Sequence, residues 1–309
     1  MSLLKTAVIG VGHIGREHAR VYSLAPHTEF VGVYDIDPQV SRRVAQQYNI
    51  KHFTSLAELA EQVDAVTIAT PTNTHFEIGK FFLERGRHAL IEKPITDSPD
   101  EARQLVRLAH DKKVVLQVGH IERFNPALKA LEEKLTHPKF IEAHRLSPYP
   151  GRSTDIGVVL DLMIHDLEVV LHLVRSPLTH VDAVGVAVLS KGEDIANARL
   201  RFENGCVANL TTSRISPEKM RKIRVFQDDA YLSLDYQNQG GEMYRKVGHQ
   251  ITRETIQVQK DEPLKLEIAS FIECALAKTS PVVGGAQAAA ALEVAMQITD
   301  QIWDRPATA

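Results

Sequence analysis

Five short apolar runs alternate with stretches of helical periodicity over the first 120 residues: LKTAVIG, TEFVGVYD, DAVTIAT, HALIE and KVVLQVG. Helices are expected between them from Ile14, Pro38, Asn73 and Ser98. Runs that are apolar on both faces and joined by helices specify an α/β arrangement, a parallel sheet with helices packed on each side. Asp37-Pro38 and Ser98-Pro99 support two of the helix starts, since each puts a capping residue before a first-turn proline.

After about residue 120 the rhythm changes. A helix is expected around NPALKALEEKL, then the strand FIEAHRLS, a Pro/Gly/Ser loop over 147–153, and an apolar helix from Gly157 to Val174. The runs HVDAVGVAVLS, IANARLRFE, CVANLTTSRIS, MRKIRVFQD and AYLSLDY follow, separated by turn signals such as Glu203-Asn204-Gly205 and Asp228-Asp229. They read as an antiparallel meander, one face of which is expected to lie under the helices at 123–135, 157–174 and 263–277. A length of 309 residues fits two domains, 1–120 and 121–309, with an Ala-rich final helix from Ala286 to Trp303 docking on the body and able to pack back on the first domain.

Composition removes several function classes. The net charge of -3 arises from 36 basic and 39 acidic residues mixed along the sequence, so no basic surface is available for nucleic acid. Cys206 and Cys274 are far apart and outside any CxxC pattern, which fits two buried thiols in a reducing compartment rather than a disulfide framework or a zinc site. The start MSLLKTAVIG runs straight into a strand pattern without the features of a signal peptide, and no segment approaches the roughly 18 apolar residues of a membrane span. The expected address is the cytoplasm, with no membrane partner.

The segment VIGVGHIG places Gly10, Gly12 and Gly15 in GxGxxG spacing between a strand and a helix, with His13 and Ile14 inside the turn. The first glycine permits the tight turn, the second lets backbone approach a pyrophosphate, and the third lets helix and strand pack closely; the helix N-terminus then faces the negative charge. Asp35 ends the next strand, where a carboxylate accepts hydrogen bonds from an adenosine ribose and repels a 2′-phosphate, favouring NAD over NADP. Asp35 could instead start the Asp-Ile-Asp-Pro turn, and Arg42 and Arg43 on the following helix could accommodate a phosphate. TIATPTNTHFE brings Thr70, Pro71, Asn73 and His75 to the carboxyl edge of the sheet, where open α/β sheets bind ligands, although Asn73 could simply cap a helix and His75 lie on its surface. HALIEKP puts Glu92 and Lys93 at the same edge, toward the nicotinamide end of a dinucleotide. Pro94 restricts Lys93 to extended backbone and permits a cis peptide.

In LDLMIHDLEVVLHL, Asp161 and His165 are four residues apart and share a helix face, while Leu160, Met163, Ile164 and Leu167 supply an apolar side. Histidine suits removal of a hydroxyl proton and a neighbouring carboxylate can orient it; a half-buried structural pair is the alternative. Glu168 and His172 fall near the same face, but one helix offers too few convergent ligands, so no metal is expected.

Taken together, GVGHIG with Asp35, TPTNTH, EKP at 92–94 and DLMIH at 161–165 resemble the Gfo/Idh/MocA family, the glucose-fructose oxidoreductase and inositol dehydrogenase group, over nearly the whole sequence. The resemblance implies a Rossmann domain followed by an α+β domain with a large, mostly antiparallel, open-faced sheet. It implies an NAD(P)-dependent sugar dehydrogenase in which Lys93 and His165 flank the reacting carbon, His165 accepts the proton, Lys93 positions the hydroxyl, and Asp161 binds substrate or tunes the histidine. It also implies a homodimer or homotetramer packed through the outer sheet face. GHIERFNPALKAL, with DLMIHDLEVVLHLV, is most similar to the bacterial branch that oxidises the 3-hydroxyl of UDP-N-acetylhexosamines. There His120, Arg123 and Asn125 would line the substrate cleft, with Arg123 suited to a diphosphate and interdomain packing as the alternative for His120 and Arg123. One departure is TDIGVVLDLM, which keeps only Gly157 of a glycine-rich approach. The rival readings are an inositol or free-sugar dehydrogenase, a non-catalytic NAD-sensing regulator, and a dehalogenating or hydrolytic enzyme with tightly held NAD.

Overall fold

A computed structural model describes residues 3–149 and 156–304, so the loop expected at 147–153 lies partly outside the described residues. The protein forms two compact units. The first takes Met1–Ile121 and Glu262–Ala290, the second Glu122–Asp261 and Ala291–Ala309.

The first unit runs β1 (Leu4–Ile9), α1 (His13–Tyr22), β2 (Thr28–Tyr34), α2 (Pro38–Tyr48), β3 (Lys51–His52), α3 (Leu56–Ala60), β4 (Ala65–Ile68), α4 (His75–Glu84), β5 (His88–Glu92), α5 (Pro99–Lys112) and β6 (Leu116–Gly119). The strands form one parallel sheet in the order β3-β2-β1-β4-β5-β6. Every residue of β4 is buried, as a central strand covered on both faces requires. The helix starts obey the capping logic: Asp37 accepts from the Gln39 N–H and Ser98 from that of Glu101. The order reverses at β1, between β2 and β4, which opens a crevice at the carboxyl ends of β1 and β4. β3 and α3 are too short to carry a periodic signal.

The second unit comprises α6 (Pro126–Glu132), β7 (Phe140–Leu146), a π-helical turn (Val159–Met163) leading into α7 (Ile164–Val174), and seven further strands: β8 (Leu178–Val186), β9 (Ile195–Phe202), β10 (Val207–Ser213), β11 (Met220–Phe226), β12 (Ala230–Asp235), β13 (Gly240–Val247) and β14 (Gln250–Ile256). Their order, β14-β13-β12-β11-β7-β10-β9-β8, corrects the simple meander. β7 is inserted at the centre, antiparallel to β11 but parallel to β10. Turn signals specify sequential hairpins and carry no information about a strand that enters from far upstream. β13 and β14 extend the sheet beyond the expected strands; β14 is exposed at all but Ile256, so its charged positions mask the alternation of a buried strand. On one face Ile141, Ala143, Ile223, Val225, Leu232 and Leu234 are buried. The opposite face carries a ladder of rings, Phe140, Phe226, Tyr231 and Tyr244, with successive centroids 5.6, 4.7 and 5.5 Å apart.

Two helices complete the fold, α8 (Pro263–Ala277) and α9 (Gly285–Trp303). The expectation that the 263–277 helix covers the antiparallel sheet is corrected, because α8 belongs to the first unit and packs on α1 and β1. Its Leu264, Ile268, Phe271 and Ile272 share a core with Leu4, Val8, Val33 and Leu90. An apolar stripe announces that a helix will be covered without naming the sheet. The final helix gives its first residues to the first unit and the rest to the second, where the Gln301 amide accepts from Ala183 N–H and donates to the Val181 carbonyl on β8. No described helix is long and apolar enough to cross a membrane.

Candidate active site

The glycine turn between β1 and α1 is built around one open position. Gly10 has φ +79°, and a Cβ on Gly15 would fall 1.9 Å from the Gly10 carbonyl oxygen. At Gly12 a Cβ would meet nothing within 4 Å. Gly12, His13 and Ile14 are exposed, and the first turn of α1 has no cap from a side chain. Uncapped N–H groups beside an open glycine are what a dinucleotide pyrophosphate needs, so this turn fits the group. Asp35 fastens the turn: one carboxylate oxygen accepts from Val11 N–H at 2.8 Å and the other from Asp37 N–H at 2.9 Å. Each oxygen keeps a further lone pair for a ribose hydroxyl. On α2 the Arg42 guanidinium leans on His52 at 3.4 Å, and Arg43 is exposed.

At the end of β4 a 3₁₀ turn over Thr72–Thr74 precedes α4. The Thr74 hydroxyl donates within it, 2.7 Å from both Thr70 Oγ1 and the Pro71 carbonyl. Pro71 and Asn73 are exposed, and α4 starts at His75 with no capping bond from a side chain. His75 is buried, with its ring nitrogens each 2.9 Å from a carbonyl, Nδ1 from Pro94 and Nε2 from Thr70. Burial pushes its pKa below the ordinary imidazole value against the pull of those carbonyls. The ring thus ties the end of β4 to the residue after Lys93.

Lys93 is half-buried at the carboxyl end of β5, and the Lys93–Pro94 peptide is cis. Its backbone is fixed by the preceding side chain. Glu92 Oε2 accepts from Lys93 N–H at 3.2 Å, while Oε1 lies 2.8 Å from His18 Nε2. A Cβ at Gly119 on β6 would come within 2.9 Å of the Glu92 carboxylate, so that glycine leaves the space it occupies. Burial works to raise the Glu92 carboxyl, but the hydrogen bond and charge of His18, with the charge of Lys93, hold it below the usual range. Glu267 of α8 completes the group. Among the described residues His18, Glu92 and Glu267 can bring one potential ligand atom each to within 4.8 Å of one another. Sequence reasoning missed His18 and Glu267. His18 could have been found three residues beyond Gly15, as a histidine on the buried face of α1; no local pattern points to Glu267.

In the second unit Glu193 shapes the approach to α7. Its backbone carbonyl accepts from Val158 N–H at 3.0 Å and its carboxylate from Val159 N–H at 3.1 Å, at the start of the π-helical turn that carries Asp161. Asp161 and His165 are both half-buried. The other acids of α7 turn inward. Asp166 receives Arg145 at 2.8 and 3.0 Å, Arg145 also reaches Glu122 at 3.0 Å, and Arg123 pairs with Glu168 at 2.6 Å. Burial raises the Glu168 pKa in spite of Arg123. His172 lies 2.9 Å from Glu132. Asn125 caps α6 through Ala127 N–H and donates to the Tyr236 carbonyl, both at 3.1 Å. Arg123 and Asn125 thus have buried partners within the second unit, while His120 is buried in the first.

Family comparisons agree with this architecture. Residues 4–120 match the model described as oxidoreductase family, NAD-binding Rossmann fold, and residues 132–233 match the GFO/IDH/MocA C-terminal domain. The UDP-N-acetylglucosamine 3-dehydrogenase of Acidithiobacillus ferrooxidans is 37% identical over 302 residues, covering 96% of both proteins. Its solved structure superposes with a TM-score of 0.93 over 98% of both proteins. The scyllo-inositol 2-dehydrogenase (NAD(+)) of Bacillus subtilis is 24% identical over 319 residues, 96% of this protein and 93% of that one. With its glycine turn, Asp35 and EKP segment in place, the protein belongs to the Gfo/Idh/MocA family of NAD-binding oxidoreductases.

Proposed function

We propose that this oxidoreductase is an NAD-dependent dehydrogenase of a nucleotide sugar, oxidising the 3-hydroxyl of a UDP-N-acetylhexosamine. The observation that carries the reading is the full-length likeness to a UDP-N-acetylglucosamine 3-dehydrogenase, in a sequence that has Lys93 after the β5 strand and Asp161 and His165 half-buried in the second unit. Bound NAD supplies the hydride acceptor. The protein groups handle the proton: Lys93 holds the hydroxyl oxygen and offsets its growing negative charge, His165 takes the hydroxyl proton, and Asp161 orients the imidazole or the sugar. Thr70, Pro71, Asn73 and Glu92 form the cofactor side of the sheet edge, and His75 supports it from behind. Asp35 disfavours a 2′-phosphate and supports NAD over NADP. Arg123 and Asn125 serve the substrate side as supports for α7 and α6, His120 as packing of the first unit. Copies of the protein associate through the aromatic face of the second unit's sheet.

The test is NAD(P)H formation with UDP-N-acetylglucosamine, myo-inositol and glucose, each with NAD and with NADP. UDP-N-acetylglucosamine with NAD should give the highest kcat/KM, and Lys93→Ala should lower kcat by about 100-fold while NAD affinity holds within about twofold. A preference for inositol, supported by the Bacillus subtilis relative, would replace the substrate; undiminished turnover in Lys93→Ala would remove its role.

A further inference from the structure

We propose that His18, Glu92 and Glu267 act as one buried brace that positions Lys93 for its part in the reaction. The proposal rests on the dehydrogenase reading above, and it names two residues, His18 and Glu267, that lie on α1 and α8, away from the sheet edge.

The geometry singles out these side chains. His18 and Glu267 are fully buried, with 0% exposure each. Both Glu267 carboxylate oxygens and His18 Nδ1 lack a hydrogen-bond partner among the described residues. An ionised carboxylate cannot be left in that condition, because burying it without a partner costs several kcal/mol, so it takes up a proton instead. Glu92 cannot be the neutral member. It accepts from the Lys93 backbone N–H and lies beside the lysine's ammonium, and both favour the ionised form. The proton therefore resides on Glu267, whose pKa is driven well above the usual value by burial and then by the Glu92 charge. The result is a neutral acid and an imidazole behind a carboxylate, which spans 2.8 Å to His18 and 3.2 Å to Lys93 N–H. Three other titratable groups face the cluster. Lys93 acts from β5, His75 from α4 feels the Glu92 charge, and Tyr22 from α1 feels Glu267 while its hydroxyl bonds Thr67. Gln117 of β6 donates its amide N–H to the Glu267 backbone carbonyl at 3.1 Å, fixing the third member to the sheet.

A brace of this kind acts on the lysine through the backbone. Displacing Glu92 releases the Lys93 N–H and moves the ammonium relative to the hydroxyl it must hold, and a shift near 1 Å at a reacting group can cost about 100-fold in rate. A divalent cation would use the same three side chains differently. It would need the 2.8 Å His18–Glu92 contact to open so that both could bind metal, and an ionised Glu267.

The experiment compares Glu267→Leu, Glu267→Gln and Glu92→Gln, each checked for folding by thermal melt and for metal content as purified. Two readouts are taken: kcat with UDP-N-acetylglucosamine, and the pH midpoint of competitive acetylation at Lys93 by peptide mass spectrometry, which needs no turnover. Glu267→Leu and Glu92→Gln should lower kcat about tenfold or more and shift the Lys93 midpoint, and Glu267→Leu should leave NAD affinity unchanged. Glu267→Gln, neutral and of the same shape, should restore most of what leucine loses. It should also raise the melting temperature more at high pH than at low. The folded protein keeps a proton that the unfolded protein releases, so the native glutamic acid stabilises less as pH rises above its unfolded value. Leucine and glutamine variants that behave alike, an unmoved Lys93 midpoint, or a stoichiometric divalent cation lost in Glu267→Gln would overturn the brace. An inert wild type in which Lys93 acetylation still responds to Glu267 would overturn the substrate and leave the brace standing.

Discussion

A Cβ at Gly15 would fall 1.9 Å from the Gly10 carbonyl oxygen, whereas one at Gly12 would meet nothing within 4 Å. The two glycines therefore fail differently when substituted. Gly15→Ala should unfold the turn, costing roughly 2 kcal/mol or more in urea denaturation together with dinucleotide binding, as overpacking against backbone does. Gly12→Ala should leave the melting temperature within about one degree but weaken NAD affinity tenfold or more, read by fluorescence titration, because its methyl occupies the space the pyrophosphate needs. These residues were legible in the sequence because their reasons are local: a turn, a close approach and a helix start within a few positions. The place of Lys93 at a strand end, before a proline, was legible as well. Glu267 was not, since its role depends on contact with residues more than a hundred positions upstream.

At the scale of an element, α7 shows how a helix is held from one side. Asp166 and Glu168 turn inward to Arg145 and Arg123, leaving Asp161 and His165 half-buried on the same stretch. Arg145 is the shared partner of two buried acids, so its loss takes the guanidinium from Asp166 and leaves Glu122, among the described residues, only the Asn125 amide at 3.3 Å and Arg221 at 3.9 Å. Arg145→Met should destabilise the protein by about 3–5 kcal/mol in urea denaturation. The additional removal of both carboxylates, as Asp166→Asn and Glu122→Gln, should recover part of that loss. The sequence pattern announced the helix and its apolar side correctly. It could not tell which acids of LDLMIHDLEVV are buried and which half-buried, because both faces carry charge and the arginine partners come from other elements.

For the whole molecule, the ring ladder from Phe140 to Tyr244, an aromatic strip on the sheet face opposite the buried one, is the surface on which the proposed self-association rests. On the self-association proposed above, Tyr231→Glu, at its middle, should lower the mass measured by light scattering toward that of the monomer with the melting temperature little changed. An unchanged mass would place association elsewhere. The two-part α/β and antiparallel plan was visible from strand rhythm, but the polypeptide's return to its first unit was not, because amphipathic helices do not name the sheet they cover. That return has a consequence for synthesis. The core beneath β1 and α1 is finished by Leu264, Ile268 and Phe271, residues made after nearly all of the second unit. At ribosomal speeds of about 5–20 residues per second, the nascent sheet waits on the order of ten seconds for its missing wall. The parallel sheet of the first unit therefore gains its α8 wall only after the strands of the second unit have been made.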